Sequence, residues 1–162
     1  KKIYFTELNP KHIARIQQEH PEVAFVQPDD IFGLDVDVFS PCALGGSLNG
    51  DTIPLIKAPV IAGSANNVLL DEDVHGKMIM DRGIIYCPDF VINAGGIINV
   101  YHEIHGYNRD RALADATRIY DRLLEILAIA EREHIPSQQA AKVFAQQRIE
   151  AIHQLKRTYI PR

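Results

Sequence analysis

Four stretches of this chain carry residue types that recognise polar ligands. Glu7 follows Ile3-Tyr4-Phe5-Thr6, a β-branched and aromatic run that reads as a strand. A carboxylate at such a strand end accepts hydrogen bonds from ribose hydroxyls and repels a 2′-phosphate; the plainer alternative is a solvated Glu in a loop. Pro41-Cys42-Ala43-Leu44-Gly45-Gly46 follows a second apolar run. Its small residues let a flat ring approach the backbone, or they form an ordinary tight turn. Ala62-Gly63-Ser64-Ala65-Asn66-Asn67 ends in two carboxamides, each with donors and an acceptor for a polar ligand. One of them is also a suitable cap for a following helix. In Pro88 to Val100, Asn93 lies beside Gly95-Gly96, and Ile97 and Val100 share one helix face. That face either lines an apolar pocket or packs into the core.

The elements that position these residues alternate. Strands are expected at Ile3–Thr6, Val23–Val26, Val36–Ser40, Val60–Ala62 and Ile84–Tyr86. Asn9-Pro10 predicts a helix start, with Pro21 ending that helix after His20. A short helix is expected at Ile53–Ile56, with Pro54 in its first turn. Another runs from Asp71 to Arg82 and stops at Gly83. Apolar strands alternating with helices predict an α/β fold with a parallel sheet, whose ligands bind at the carboxyl ends of the strands. That rule selects Glu7 and the three loops. After Gly96 the period changes. Arg109–Glu133 carries Ala112, Ala116, Ile119, Leu123, Leu127 and Ala130 at helical spacing. Pro136-Ser137 breaks it, with Ser137 a suitable N-cap, and a second helix runs to about Lys156.

A dinucleotide-binding sheet places a G-x-G-x-x-G turn about 20 residues before its ribose-binding acid. Only six residues precede Glu7, and no Met opens the chain. The expectation is an excised segment: a Rossmann-like parallel sheet lacking its first strand and glycine-rich turn, followed by a C-terminal helical hairpin.

The net charge of -4 argues against nucleic acid or an anionic membrane as a partner. No apolar run approaches the ~20 residues that cross a bilayer. Cys42 and Cys87 match no zinc or redox spacing and suit reduced thiols, hence a cytoplasmic setting. His102-Glu103-Ile104-His105 spaces its histidines by three rather than four, so no metal is expected. The basic end, Lys156, Arg157 and Arg162, reads as a solvated terminus.

Taken in order, Ser40-Pro41-Cys42-Ala43-Leu44-Gly45, Ile61 to Asn67, Pro88 to Val100 and Gly106-Tyr107-Asn108-Arg109 resemble leucine dehydrogenases. More broadly they are similar to the Glu/Leu/Phe/Val dehydrogenase superfamily, over essentially the whole chain. The resemblance implies the NAD-binding part of an enzyme that reversibly deaminates an L-amino acid to a 2-oxo acid and ammonia. It implies residues 1–107 as a partial Rossmann-like domain and 108–162 as helices packing toward a separate catalytic domain. By position, Glu7 would hold the adenosine ribose, where the family more often has Asp. Cys42, Ala43 and Leu44 would flank the adenosine and the nicotinamide ribose. Ala65, Asn66 and Asn67 would lie near the nicotinamide, with Asn67 reaching the substrate. Asn93 would bond around the carboxamide and ribose, and Ile97 and Val100 would shape the substrate side-chain pocket. Lys1, Lys2, Lys57 and Lys77 fall outside the family's catalytic motifs, so no catalytic residue is expected here. A branched aliphatic substrate is the leading expectation, because a charged side chain would be unpaired against Ile97 and Val100. Phenylalanine or valine dehydrogenase, or a non-catalytic NAD-binding module, are the alternatives. A homo-oligomer is also implied.

Overall fold

The computed structural model describes residues 2–158. Lys1, Arg162 and the side chains of Lys156 and Arg157 lie outside the described residues. Strands β1 (Ile3–Phe5) and β2 (Val23–Phe25) flank helix α1 (Pro10–Glu19). Then come β3 (Val38–Phe39), β4 (Val60–Ile61), α2 (Glu72–Asp81) and β5 (Ile85–Tyr86). Helices α3 (Asp89–Ile92), α4 (Gly95–Ile104), α5 (Arg109–Glu133) and α6 (Ser137–Thr158) complete the chain.

All strand pairs are parallel, as continuous apolar runs predict. They fall into two sheets, β1-β2 and β3-β4-β5. Ile3 aligns with Val23, Val38 with Val60, and Val60 with Ile85. In the doubly wound strand order 3-2-1-4-5-6, these groups correspond to 3-2 and 4-5-6. Short parallel strands alternating with helices match the expected α/β fold.

The paired strands are shorter than their apolar runs. Strand β4, paired on both sides, is also only two residues long, so the short ladders are not an edge effect. Val36 and Asp37 stay outside β3, and Val26 adds only an N–H to the Phe5 carbonyl at 2.9 Å. The segment after Thr52 is a single 3-10 turn, Ile53–Leu55, not an α-helix. Pro54 supplies no N–H, and the Arg82 guanidinium donates to the carbonyls of Ile53 and Ile56, satisfying acceptors that a longer helix would have used.

Helix boundaries follow their caps. Asn9 Oδ1 accepts the Lys11 N–H at 3.0 Å, and Pro10 opens α1. Asp71 Oδ1 accepts the N–H groups of Asp73 and Val74 at 3.0 and 2.9 Å and opens α2. At its far end Gly83 has φ of 68°. Gly83 N–H bonds Met80 O and Ile84 N–H bonds Ile79 O, a Schellman closure. Ser137 does not cap α6. Pro136 O accepts the first helical N–H groups, from Gln139 and Ala140. The Ser137 hydroxyl instead donates to Tyr86 O at 2.6 Å, tying the helical hairpin to β5.

The main core is aliphatic, with Leu48, Ile53, Ile56, Ile61, Val68 and Ile79 almost wholly buried around β3-β4-β5. A second cluster, Ile126, Ile129, Ala140 and Ala141, holds α5 against α6. Gly76 in α2 joins α6 to the sheet layer. A Cβ there would lie 1.6 Å from the buried Gln138 amide, whose Nε2 donates to Glu72 O at 2.6 Å. Among the described residues, no helix is long and apolar enough to cross a membrane.

Candidate cofactor site

The loops after β3, β4 and β5 interlock at the carboxyl ends of the strands. Ala65 N–H donates to Pro41 O at 3.1 Å, and Gly46 N–H to Asn67 O at 2.8 Å. Leu48 N–H then bonds Val68 O, and Leu70 N–H bonds Leu48 O. Loops 41–48 and 63–70 thus form one backbone-bonded unit. Two glycines permit the approach. A Cβ on Gly63 would lie 2.1 Å from Pro41 O, and one on Gly45 would lie 2.8 Å from Asn67 O. Asn67 itself has φ of 52°, a left-handed conformation that Asn tolerates better than most residues.

The third loop joins through side chains. Asn93 Nδ2 donates to Asn66 Oδ1 at 2.6 Å and lies 3.5 Å from Ser64 O. This leaves the Asn66 amide N–H groups and the Asn93 carbonyl oxygen available to a ligand. Asn66 and Asn67 do not cap α2, which Asp71 does. Beneath them Asp89 is 8% exposed; its Oδ2 accepts the Val68 N–H at 3.1 Å and its Oδ1 accepts the Phe90 N–H at 2.8 Å. Asp89 therefore braces the second loop against the third. Asp89 opens the third of the loops selected at the strand ends, but its bracing role is not visible in the sequence. What the sequence shows is a carboxylate immediately after Pro88 and before an apolar run.

Cys42, Ala43 and Leu44 lie on the open side of this unit, and Leu44 is 87% exposed. Burial pushes the Cys42 thiol up, but hydrogen bonds from Ser40 and Ser64 outweigh it and hold the thiol below the ordinary range. Ala65 is buried beneath the loop.

Glu7 lies two residues beyond β1 and makes its contacts within its own turn. Its Oε1 accepts the N–H groups of Leu8 and Asn9 at 2.7 and 3.0 Å, and Oε2 lies 3.5 Å from His12 Nδ1. The Asn9 and Leu8 N–H groups hold the carboxyl below the usual Glu range, so the charge persists at neutral pH.

Ile97 and Val100 do not pack into the core: they are 73% and 50% exposed. With Tyr101 and Ile104 they form the outer face of α4. His102 occupies the inner face, where its Nε2 lies 2.8 Å from Asp115 Oδ2, while His105 stacks on Tyr101 at 4.3 Å. Among the described residues, no three His, Cys, Asp or Glu side chains form a set that could hold a metal ion.

This loop assembly has relatives. A match to the Glutamate/Leucine/Phenylalanine/Valine dehydrogenase family spans residues 3–157. The chain belongs to that family. It is 46% identical over 159 residues to leucine dehydrogenase of Geobacillus stearothermophilus, covering 98% of this chain and 43% of that protein. It is 39% identical to phenylalanine dehydrogenase of Caldalkalibacillus thermarum, over 98% of this chain and 44% of the other. The crystal structure of L-tryptophan dehydrogenase from Nostoc punctiforme superimposes with a TM-score of 0.88 at 42% identity, over 93% of this chain and 45% of that one. The chain thus spans less than half the length of these relatives.

Proposed function

We propose that this chain is the NAD-binding part of an NAD-dependent amino acid dehydrogenase that reversibly deaminates a branched-chain, leucine-like L-amino acid to a 2-oxo acid and ammonia. One observation carries the reading. Three loops from the carboxyl ends of adjacent parallel strands are locked together around a carboxamide pair, with Asn93 bonded to Asn66 at 2.6 Å. NAD, when bound, accepts the hydride from the substrate's α-carbon. The chain's own residues bind and orient it.

Asn66 and Asn93 offer amide donors and acceptors that match a neutral carboxamide without placing a fixed charge beside it. Cys42, Ala43 and Leu44 form the low wall that lets a ribose and a flat ring lie against backbone. Glu7, ionised, accepts from a ribose diol and repels a 2′-phosphate. Asn67 reaches toward the substrate amino acid. Ile97 and Val100 present apolar surface to the substrate side chain. The proposal divides the chain at residues 1–107 and 108–162. Gly106, with φ of 86°, makes the turn there. The proton transfers and the catalytic residues fall to a catalytic domain in the remaining polypeptide, in a cytoplasmic homo-oligomer.

The test is NADH formation by the full-length protein with L-leucine, L-valine, L-isoleucine, L-phenylalanine, L-tryptophan and L-glutamate, with NAD and NADP run in parallel. Fast NAD reduction with branched aliphatic acids supports the proposal. Preference for aromatic acids moves the reading to the phenylalanine or tryptophan type, which the likeness to L-tryptophan dehydrogenase favours. No reduction with any of them leaves a nucleotide-binding module. The three aliphatic substrates differ by a methylene or a branch point, worth about 1–3 kcal/mol in such a pocket, so the ranking among them is decided by measurement.

A further inference from the structure

Most exposed cations of this chain with resolved contacts are paired locally. Lys77 bonds Asp81, Lys142 bonds Glu72, Arg132 bonds Glu133, and Arg82 bonds two carbonyls. Three arginines instead converge on one concavity. Arg118 and Arg122 on α5 and Arg148 on α6 line a single cleft of about 390 Å³, closed on its other side by Ile97, Ile98 and Tyr101 of α4. Asp115 is the one carboxylate in its lining, and it is already committed. Its Oδ2 faces the buried His102 at 2.8 Å and its Oδ1 accepts from Arg118 at 3.0 Å. Arg148 makes no hydrogen bond or ion pair among the described residues, and Arg122 meets Asp115 only through charge attraction beyond ion-pair distance.

The charge balance in the cleft is therefore three guanidinium groups against one carboxylate, in a chain whose net charge is -4. Arg118 and Arg122 stand at i and i+4 on one helix face, where like charges repel. A guanidinium fork matches carboxylate and phosphoryl oxygens in bidentate geometry. The volume lies within the roughly 300–1,000 Å³ of small-molecule sites. The cleft is open to solvent, with Ile97 and Tyr101 of its α4 wall more than half exposed, so a compact anion can reach all three guanidinium groups.

We propose that the cleft between α4, α5 and α6 binds a compact multivalent anion, carrying a phosphoryl or polycarboxylate group, through Arg118, Arg122 and Arg148. Because Ile97 forms part of the wall, an occupant touches the helix whose outer face bears Ile97 and Val100. Asp115 holds Arg118 in place and takes no part in binding the anion.

The experiment is calorimetric titration of the full-length protein with inorganic pyrophosphate and, separately, citrate, at low salt. Saturable binding of either anion is expected, with at least a tenfold loss of affinity in the double variant Arg122→Gln, Arg148→Gln. The double variant Arg122→Lys, Arg148→Lys keeps the charge but not the fork, so an intermediate affinity is expected. Binding of pyrophosphate alone assigns a phosphoryl ligand, and binding of citrate alone a polycarboxylate. No binding of either anion, or binding unchanged in the Gln variant, overturns the proposal. Loss of the native oligomer in the Gln variant, with no anion bound by wild type, also overturns it and places an acidic protein surface in the cleft.

Discussion

Replacing Gly63 with Ala tests whether the two Rossmann-type loops are held by backbone contact. An added Cβ would lie 2.1 Å from Pro41 O and 2.5 Å from Pro41 N. Ordinary carbon contacts sit near 3.5–4.0 Å, so one loop must move by more than 1 Å, and the obstructing atoms are backbone with no rotamer to change. The move breaks Ala65 N–H to Pro41 O at 3.1 Å and strains Ala62 N–H to Phe39 O at 3.0 Å, the bond that continues the β3-β4 ladder. Each lost bond removes about 1 kcal/mol, and overpacking adds about 1–3 kcal/mol. Gly63→Ala should therefore destabilise by about 3–5 kcal/mol. Gly96→Ala is the control. Nothing lies within 4 Å of its added Cβ, and Gly96 is the second residue of α4. Replacing a helical glycine with alanine there should be neutral or stabilising by up to about 1 kcal/mol. Urea unfolding followed by circular dichroism reads both. If Gly63→Ala stays within about 1 kcal/mol of wild type, the interlocked loops are not rigid and the reasoning fails.

Asp89→Ala should cost about 2–3 kcal/mol, because the buried Val68 N–H is left without an acceptor; an unchanged urea midpoint would refute the bracing role. Cys42 is exposed with its thiol held low, whereas burial pushes the Cys87 thiol up, so iodoacetamide mapped by mass spectrometry should label Cys42 first. Equal labelling would contradict the assigned environments, and slowing of Cys42 labelling by NAD would support the cofactor wall. His134 closes α5 with φ of 53°, and His134→Gly should raise stability by about 0.5–1 kcal/mol; a lower melting temperature would show that its ring makes an unrecognised contact. The hydrogen bond with His102 outweighs desolvation and, with the charges of Arg118 and Arg122 adding to it, holds the Asp115 carboxyl below its ordinary range. A depressed folded value means stability that is present above the unfolded pKa, near 4, and is lost as pH falls through the folded one. The melting difference between wild type and Asp115→Asn should therefore shrink below about pH 4, and a difference constant down to pH 2 would sink the assignment.

The sequence was most legible where structure is local. Asn9-Pro10, Asp71 and Gly83 set helix ends by side-chain and backbone chemistry confined to a few residues, and each boundary falls within a residue of its expected place. Strand lengths were not legible, because an apolar run shows what can pair and not what stands beside it. Val36 to Ser40 has the pattern of a five-residue strand, yet only Val38 and Phe39 enter the ladder with β4. The same limit explains Ser137. Its type suits a cap, but Tyr86, 51 residues earlier, supplies an acceptor that only the folded hairpin brings near.

The site divides in the same way. Three loops at strand ends can be marked from the order of apolar runs and small polar residues, and folding brings them together as that rule predicts. Which Asn does what is a tertiary matter. Asn67 has its backbone carbonyl taken by Gly46 N–H and its backbone in a left-handed turn. Asn66 is fixed instead by Asn93, 27 residues later. Asp89 had no visible partner in the sequence because its acceptors serve Val68, 21 positions upstream. The exposed Ile97 and Val100 mark the opposite limit. On periodicity alone an apolar face at helical spacing reads equally as core or as pocket, and only their exposure separates the two. An apolar helix face left open beside a rigid polar loop assembly is where a side chain of matching chemistry would bury its surface. The proposed function assigns that surface to Ile97 and Val100, and the aliphatic-versus-aromatic comparison is the arm of the activity panel that tests the assignment.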